Sequence, residues 1–158
     1  MLDEKDRAII SILQYDGRAP FTKIAEELNI TEGSVRYRVK RLIESGKLQV
    51  VGITHPEDMG WNEAGIIGIK VQANRTAEVA EAIAQLSEVS YLVQAAGEFD
   101  LLAEVYCRDR DHFVSFLNDK LQKIPGVERT QSFLILKMYK LSSRWGEVKP
   151  LPDEITSE

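Results

Sequence analysis

The sequence predicts an α+β fold in two parts, a helical N-terminal part and a C-terminal part in which strands and helices alternate. Apolar residues recur at helical spacing through the first 46 residues. Beyond residue 62, runs rich in β-branched residues alternate with runs rich in Ala and Glu. Between the two parts, His55-Pro56-Glu57-Asp58-Met59-Gly60 has the composition of a turn. We therefore expect a domain boundary there.

The composition is that of an ordinary folded protein. Of the 158 residues, 44% are apolar and 28% are charged, which excludes a disordered chain. No apolar run approaches the roughly 20 residues of a membrane-spanning helix, so we expect no membrane partner. The single cysteine, Cys107, cannot form an internal disulfide, and nothing indicates an oxidising compartment. A cytoplasmic location is therefore expected.

The first two helices are short and amphipathic. The first is predicted over Leu2–Leu13 with Asp3 as its N-cap, and Asp16-Gly17 ends it. The second begins at Pro20, where a missing N–H costs nothing, and Asn29-Ile30 then forms a tight turn. The inward face of the two helices is predicted to comprise Leu2, Ile9, Ile10, Leu13, Phe21, Ile24, Ala25 and Leu28.

The third helix, Thr31–Gly46, has one apolar and one basic face. Thr31 is a good N-cap, and Gly46 can take the left-handed conformation that ends a helix. Its predicted inward stripe is Val35, Val39, Leu42 and Ile43. The opposite side carries Gly33, Ser34, Tyr37, Lys40 and Arg41, flanked by Arg36 and Arg38.

Positive charge is concentrated on this helix. The chain has a net charge of −5, yet Thr31–Lys47 has five basic and two acidic residues. Charges on an exposed helix often do no more than contact solvent. Here, however, four cations in six residues with an interleaved tyrosine favour a nucleic-acid surface. Two helices joined by about three or four residues, the second one basic, are typical of a helix-turn-helix.

We expect this helix to read double-stranded DNA. The cations would mainly contact phosphates, whereas Ser34 and Tyr37 are the better candidates for base edges. A dimer could place two such helices in successive major grooves of a pseudo-palindromic site. The predicted DNA-binding residues are Thr31, Ser34, Arg36, Tyr37, Arg38, Lys40 and Arg41.

A strand, Leu48–Thr54, is predicted to link the helical domain to the rest of the chain. The second domain then reads as βαββαβ, the split-βαβ or ferredoxin-like order. Its predicted elements are the strand Ile66–Ala73, the helix Thr76–Leu86, the strands Val89–Ala96 and Asp100–Cys107, the helix Asp111–Lys123 and the strand Val127–Leu141. The predicted segments are residues 1–48, 49–61, 62–141 and a tail over 142–158.

Two helices can cover only one face of a four-stranded sheet. The last predicted strand is nevertheless apolar on both sides, with Phe133 on one and Leu134 on the other. A monomer would expose a large apolar patch, so we expect a second copy to cover it. The alternative is that the tail folds back over this face, but the tail is polar and contains Pro150 and Pro152.

Several local strings occur along the chain in a characteristic order and spacing: Leu2-Asp-Glu-Lys-Asp-Arg-Ala-Ile-Ile-Ser-Ile-Leu-Gln-Tyr-Asp-Gly-Arg18, Ile24-Ala25, Arg38-Val-Lys-Arg-Leu-Ile-Glu-Ser-Gly46, Gly97-Glu-Phe-Asp100 and Pro125-Gly-Val127. Together they resemble the Lrp/AsnC family of bacterial and archaeal transcription regulators. The resemblance implies DNA-binding dimers that assemble further, often to octamers. It also implies a C-terminal domain that senses a small molecule, usually an amino acid.

The same resemblance implies an effector site. Gly97 and Asp100 match a Gly-x-x-Asp string whose acid lies in or near the effector cleft, and Thr130 and Ser132 match positions that line it. From the residues alone, Gly97 and Asp100 could instead form an ordinary turn in which Asp100 caps a bend. Many relatives have proline after the cap of the reading helix; Glu32 stands here, so base preference does not transfer.

Two other functions are open to the sequence. A siroheme-decarboxylase-like enzyme would use histidines to hold a tetrapyrrole, but only His55 and His112 are available. The sequence has no Ser/His/Asp set, phosphate-binding Gly loop or metal-spaced Cys/His cluster. We therefore expect no enzyme activity, cofactor or metal. The second alternative is an architectural DNA-binding protein without an effector.

Overall fold

The structure, a computed structural model, describes residues 1–142. Two compact units divide this part of the chain, one built on Met1–Ile53 and the other formed by Thr54–Tyr139. The predicted tail lies outside the described residues, apart from Ser142 at its start.

Three helices form the first unit: α1 (Glu4–Tyr15), α2 (Phe21–Glu27) and α3 (Glu32–Glu44). Asp3 caps α1 in a reciprocal arrangement, because its side chain accepts from the Asp6 N–H at 2.8 Å while the Asp3 N–H donates to Asp6. Asn29, with φ of 50°, makes the turn between α2 and α3. The predicted helix-turn-helix order is confirmed.

The core of this unit follows the predicted apolar faces with one exception. Ile43 is predicted to lie inside, yet it is exposed. It lies about 80° around α3 from Val35, at the margin of the stripe, and Leu48 completes the core instead. The buried residues are Ile9, Leu13, Ile24, Ala25, Val35, Val39, Leu42 and Leu48.

The predicted linking strand is absent from the described structure. Residues 48–55 form no strand, and Val50, Val51 and Ile53 are exposed. Their composition suits a strand, but a strand needs a ladder partner, and the sheet of the second unit contains only its own four strands. A short 3₁₀ turn, Pro56–Met59, follows.

The second unit has the predicted βαββαβ order. Its elements are β1 (Glu63–Val71), α4 (Thr76–Ala84), β2 (Val89–Gln94), β3 (Leu101–Cys107), α5 (Arg110–Ser115) and β4 (Val127–Leu134). The strands form one antiparallel sheet in the order β2-β3-β1-β4.

Two elements differ from the prediction. The second helix of this unit is regular only to Ser115, and π-helical and 3₁₀ turns continue it to Lys123. The last strand ends at Leu134 and not at Leu141. Leu134 pairs with Gly65, near the start of β1, so residues beyond it have almost no partner strand left.

One face of the sheet is packed, and among residues 1–142 no helix covers the other, which is called the open face below. Strand β3 shows the alternation, with Leu101, Ala103 and Val105 buried against the helices. The pairing register places Leu102, Ile66 and Phe133 on the other face, where Ile66 and Phe133 are exposed. As predicted, the helices of this unit leave one apolar face of the sheet uncovered.

Candidate functional site

The outward face of α3 carries most of the predicted DNA-binding side chains. Tyr37, Lys40 and Arg41 are exposed, and Ser34 is half-buried in the first turn. Thr31 caps the helix, because its hydroxyl accepts from the Ser34 N–H at 3.2 Å. The positive end of the helix and an exposed polar face are thus presented together.

Two cations on this face have weak partners. Arg36 pairs with Glu32 and lies 5.5 Å from the centroid of the Phe21 ring. Lys40 lies 3.8 Å from Glu44. Both ion pairs are exposed and link residues four apart on a helix, so each contributes little and can be exchanged for a phosphate.

The other two arginines bind acidic residues at the start of α1. Arg38 Nη1 lies 2.6 Å from Asp3 Oδ2 and 2.7 Å from Asp6 Oδ1, and Arg41 Nη2 lies 2.6 Å from Asp6 Oδ2. Burial of Asp6 opposes its ionisation, but hydrogen bonds from Arg38 and from the Asp3 N–H outweigh burial and hold the pKa of Asp6 below its usual value.

This ion-pair cluster of Asp3, Asp6, Arg38 and Arg41 was not predicted. Sequence reasoning assigned Asp3 to a cap and both arginines to phosphates. The available signal was two acids three residues apart in the first turn of α1 and two arginines three residues apart on α3. The sequence alone does not indicate that the acidic pair on α1 contacts the arginine pair on α3.

The loop between β2 and β3 holds the predicted effector residues Gly97 and Asp100. The Asp100 carboxylate accepts from the Val71 N–H at 2.9 Å and from Lys70 Nζ at 3.2 Å. These two hydrogen bonds, the backbone one first, lower the pKa of Asp100. Asp100 therefore binds the end of β1, a contact that neither the effector interpretation nor the turn interpretation predicts.

Thr130 and Ser132 lie on β4, opposite Ile69 and Ile67. The two residues therefore point to the helix-covered face, where the Thr130 hydroxyl accepts from Gln122 Nε2 at 3.1 Å. The Asp100 N–H donates to the Ile69 carbonyl from the other side of β1. Asp100 and Thr130 therefore lie at the same end of the sheet, on either side of Ile69. Ser132 lies two residues further along β4, opposite Ile67.

An aromatic contact fixes this loop to the open face of the sheet. The Phe99 ring covers Gly68 so closely that a Cβ there would lie 2.5 Å from it. The Arg129 guanidinium lies 5.6 Å from the centroid of the same ring and 3.0 Å from Glu98. This contact was not predicted, although an isolated glycine inside a strand is a known signal of close approach.

His112 has structural partners. Its Nε2 lies 3.1 Å from Glu88, its Nδ1 accepts from the Arg108 N–H at 3.2 Å, and Asp109 provides the helix cap. Lys120 Nζ lies 2.6 Å from the same Glu88 oxygen. Both ring nitrogens of His112 therefore have protein partners, one of which is the buried Glu88 carboxylate.

Within residues 1–142, neither a membrane-spanning helix nor a cluster of three or more potential metal ligands is found. A helix-turn-helix with a cationic outer face, followed by a separate α+β domain, defines a DNA-binding protein with an attached second domain.

A model of the AsnC-type helix-turn-helix domain matches residues 2–43, and a model of the Lrp/AsnC ligand binding domain matches residues 64–145. The chain therefore belongs to the Lrp/AsnC family. It is a DNA-binding transcriptional regulator with a ligand-binding domain, and not an enzyme.

Relatives and solved structures agree with this assignment. The chain is 36% identical over 140 residues to the HTH-type transcriptional regulator FL11 of Pyrococcus abyssi, covering 88% of this chain and 92% of that protein. It is 34% identical over 141 residues to the regulator LrpA of Pyrococcus horikoshii, covering 89% and 100%.

Among solved structures, the transcriptional regulator NMB0573 of Neisseria meningitidis, in complex with L-Met, has a TM-score of 0.81 and 26% identity, covering 92% of this chain and 97% of that one. E. coli AsnC has the same TM-score at 21% identity, covering 91% and 98%, and supports the fold.

Proposed function

We propose that this regulator binds double-stranded DNA as a homo-oligomer through α3, and that an amino acid or related metabolite bound to its second domain changes assembly or the spacing of the two reading helices. The observation that carries the DNA part is the exposed row of Tyr37, Lys40 and Arg41 on a correctly capped helix. Ser34 and Tyr37 contact base edges, and the exposed cations Arg36, Lys40 and Arg41 contact phosphates. A cytoplasmic location follows from this DNA partner.

The proposed dimer forms across the open face of the sheet. Ile66, Tyr91 and Phe133 are large, exposed and on one domain. Large exposed apolar side chains on one face of a sheet favour an interface, and a two-fold axis lets each copy cover the other. Further assembly, to an octamer, is proposed from the family resemblance.

The proposed effector site lies at the end of the sheet beside Asp100. A carboxylate offers about four lone-pair directions, and the described donors, Lys70 and the Val71 N–H, leave room for an ammonium group. Thr130 and Ser132 are candidates to hold the effector carboxylate. The complex of NMB0573 with L-Met supports an amino-acid effector, since that regulator is 26% identical to this chain.

Calorimetry of the full chain with a panel of amino acids tests the effector proposal. We expect one or a few to bind the parent and Asp100→Asn to bind them more weakly, because the uncharged amide attracts an ammonium group less than a carboxylate does. DNA affinity and sedimentation are then measured with and without the bound amino acid. If no amino acid of the panel changes the DNA affinity or the sedimentation of the protein, the chain is an architectural DNA-binding protein instead.

A further inference from the structure

We propose that Asp6, on α1, is a positioning residue that aims Arg41 at a DNA phosphate, and that Arg38 is an internal strut that makes no phosphate contact. This inference rests on the proposed function, since it requires that α3 contact DNA. It adds an acidic residue outside α3 to the DNA-binding machinery and removes one of the four cations from it.

The geometry separates the two arginines. The Asp6 side chain is 1% exposed, and its two oxygens are divided between them, Oδ1 to Arg38 at 2.7 Å and Oδ2 to Arg41 at 2.6 Å. One buried carboxylate therefore fixes both guanidinium groups relative to α1.

Exposure then distinguishes their roles. Arg38 is 21% exposed and also binds Asp3, so its guanidinium lies between two carboxylates. Arg41 is 47% exposed and binds Asp6 through Nη2. A guanidinium carries five N–H donors in a rigid fork, so Arg41 can hold Asp6 on one edge and present the other edge to solvent.

A held arginine is a better phosphate ligand than a free one. A free side chain loses rotamer freedom when it binds, whereas Arg41 has already lost part of it on folding. The negative charge of Asp6 would weaken the attraction to phosphate if Arg41 alone balanced it. Arg38 shares Asp6 with Arg41, and Asp3 then makes the four-residue cluster neutral in total, so the advantage of Arg41 lies in the exposed N–H groups of its held guanidinium.

The test measures DNA affinity against salt for the full chain, with a duplex recovered from a random-sequence pool by the parent protein. The salt slope counts phosphate contacts and falls by about 0.9 for each phosphate that the protein no longer neutralises. We expect Asp6→Asn to weaken binding roughly tenfold and to lower the slope as Arg41→Ala does. A purely structural role would reduce the active fraction and leave the slope unchanged.

Asp3→Asn is the matched control. It removes a carboxylate from the same cluster, does not touch Arg41, and keeps a good N-cap. We expect this variant to keep the parent's slope. We also expect Asp6→Asn to add nothing in an Arg41→Ala background, because it acts through Arg41. Equal effects of Asp6→Asn in the two backgrounds would overturn the proposal.

Arg41→Lys keeps the proposal testable if Asp6→Asn does not fold. Lysine retains the charge but lacks the rigid fork that holds Asp6 on one edge and presents the other, so we expect weaker binding than the parent's, with a smaller loss than in Arg41→Ala. Binding equal to the parent's would overturn the positioning role. If Arg41→Ala and Lys40→Ala both bind as the parent does, the DNA surface on α3 is wrong; if only Asp6→Asn is silent, the positioning role alone is wrong.

Discussion

Two carboxylates with almost no solvent exposure, Asp6 and Glu88, each contact two basic side chains. Asp6 connects α1 to α3 through Arg38 and Arg41. Glu88 contacts His112 on α5 and Lys120 in the π-helical turn that follows it. A charge buried this far from water is tolerated only when it is paired and hydrogen-bonded. The Asp6 cluster therefore holds α1 against α3, and the Glu88 cluster holds the segment from α5 to Lys120 in place. Each cluster predicts a defined effect of substituting its carboxylate.

For Glu88, the prediction is a pH-dependent stability. Burial opposes ionisation, but hydrogen bonds, with Lys120 foremost, lower its pKa from 4.5 to about 2. Because the folded pKa is lower than the unfolded one, the stabilisation is present above about pH 4.5 and is lost as the pH falls towards 2. We expect Glu88→Gln to lower the free energy of unfolding by about 2 kcal/mol at pH 7.

Urea unfolding of the parent and of Glu88→Gln across this pH range measures the effect. The difference between them should shrink as the pH falls below 4.5. Glu78→Gln is the control, since Glu78 is an exposed partner of Arg75. A difference for Glu88→Gln that stayed constant down to pH 2 would show that its charge does not stabilise the fold.

At the scale of elements, local patterns predicted most of the fold. The stripe of Val35, Val39 and Leu42 gave the correct inward face of α3, because burial leaves a periodic trace in the sequence. The end of β4 left no such trace. Residues past Leu134 keep the composition of a strand, and only the length of the neighbouring β1 ends the pairing.

The same limit applies to the candidate site. The exposed cations of α3 could be predicted, but the diversion of Arg38 into an ion-pair cluster could not, because Asp3 and Asp6 lie more than thirty residues away. Segment 48–55 likewise has the residues of a strand without a partner in the described part of the chain. In each case a tertiary neighbour decides the outcome.

The contact of β1 with the β2–β3 loop gives a prediction at this scale. A Cβ at Gly68 would lie 2.5 Å from the Phe99 ring, and the ring would have to leave the sheet. We expect Gly68→Ala to lower the free energy of unfolding by about 2 kcal/mol and to displace the loop that carries Asp100. Denaturant unfolding measures the first effect, and the amide signal of Asp100 in NMR reports the second.

Gly33→Ala is the matched control, since a Cβ added to Gly33 on α3 would meet open space. Alanine is the better helix former there, so we expect a gain in stability of up to about 1 kcal/mol. Adding Phe99→Ala to Gly68→Ala should cost less than the sum of the two single changes, because the clash is removed. Full additivity would contradict the close packing of Phe99 on Gly68.

At the scale of the whole molecule, the proposed dimer links the open sheet face to α3. In that proposal a single α3 contacts one half-site and the two α3 helices of a dimer contact two, so the second contact is made at high effective concentration. Loss of the dimer should therefore weaken DNA binding without any change on α3. Such a loss of DNA affinity would distinguish a dimer interface from an apolar surface that binds nothing.

Phe133→Glu tests the link. The substitution places a charge on the open face of the sheet, where we expect it to disrupt the dimer, because an unpaired carboxylate would be buried at the interface. Val114→Glu is the control: Val114 and Phe133 are each 47% exposed, but Val114 lies on α5 and not on the sheet. Sedimentation should show a monomer for Phe133→Glu alone, and its salt slope on the selected duplex should be about half that of the parent. If Phe133→Glu sediments as the parent does, the second copy does not cover this face; if it is monomeric yet keeps the full slope and affinity, assembly does not hold the two reading helices on the DNA.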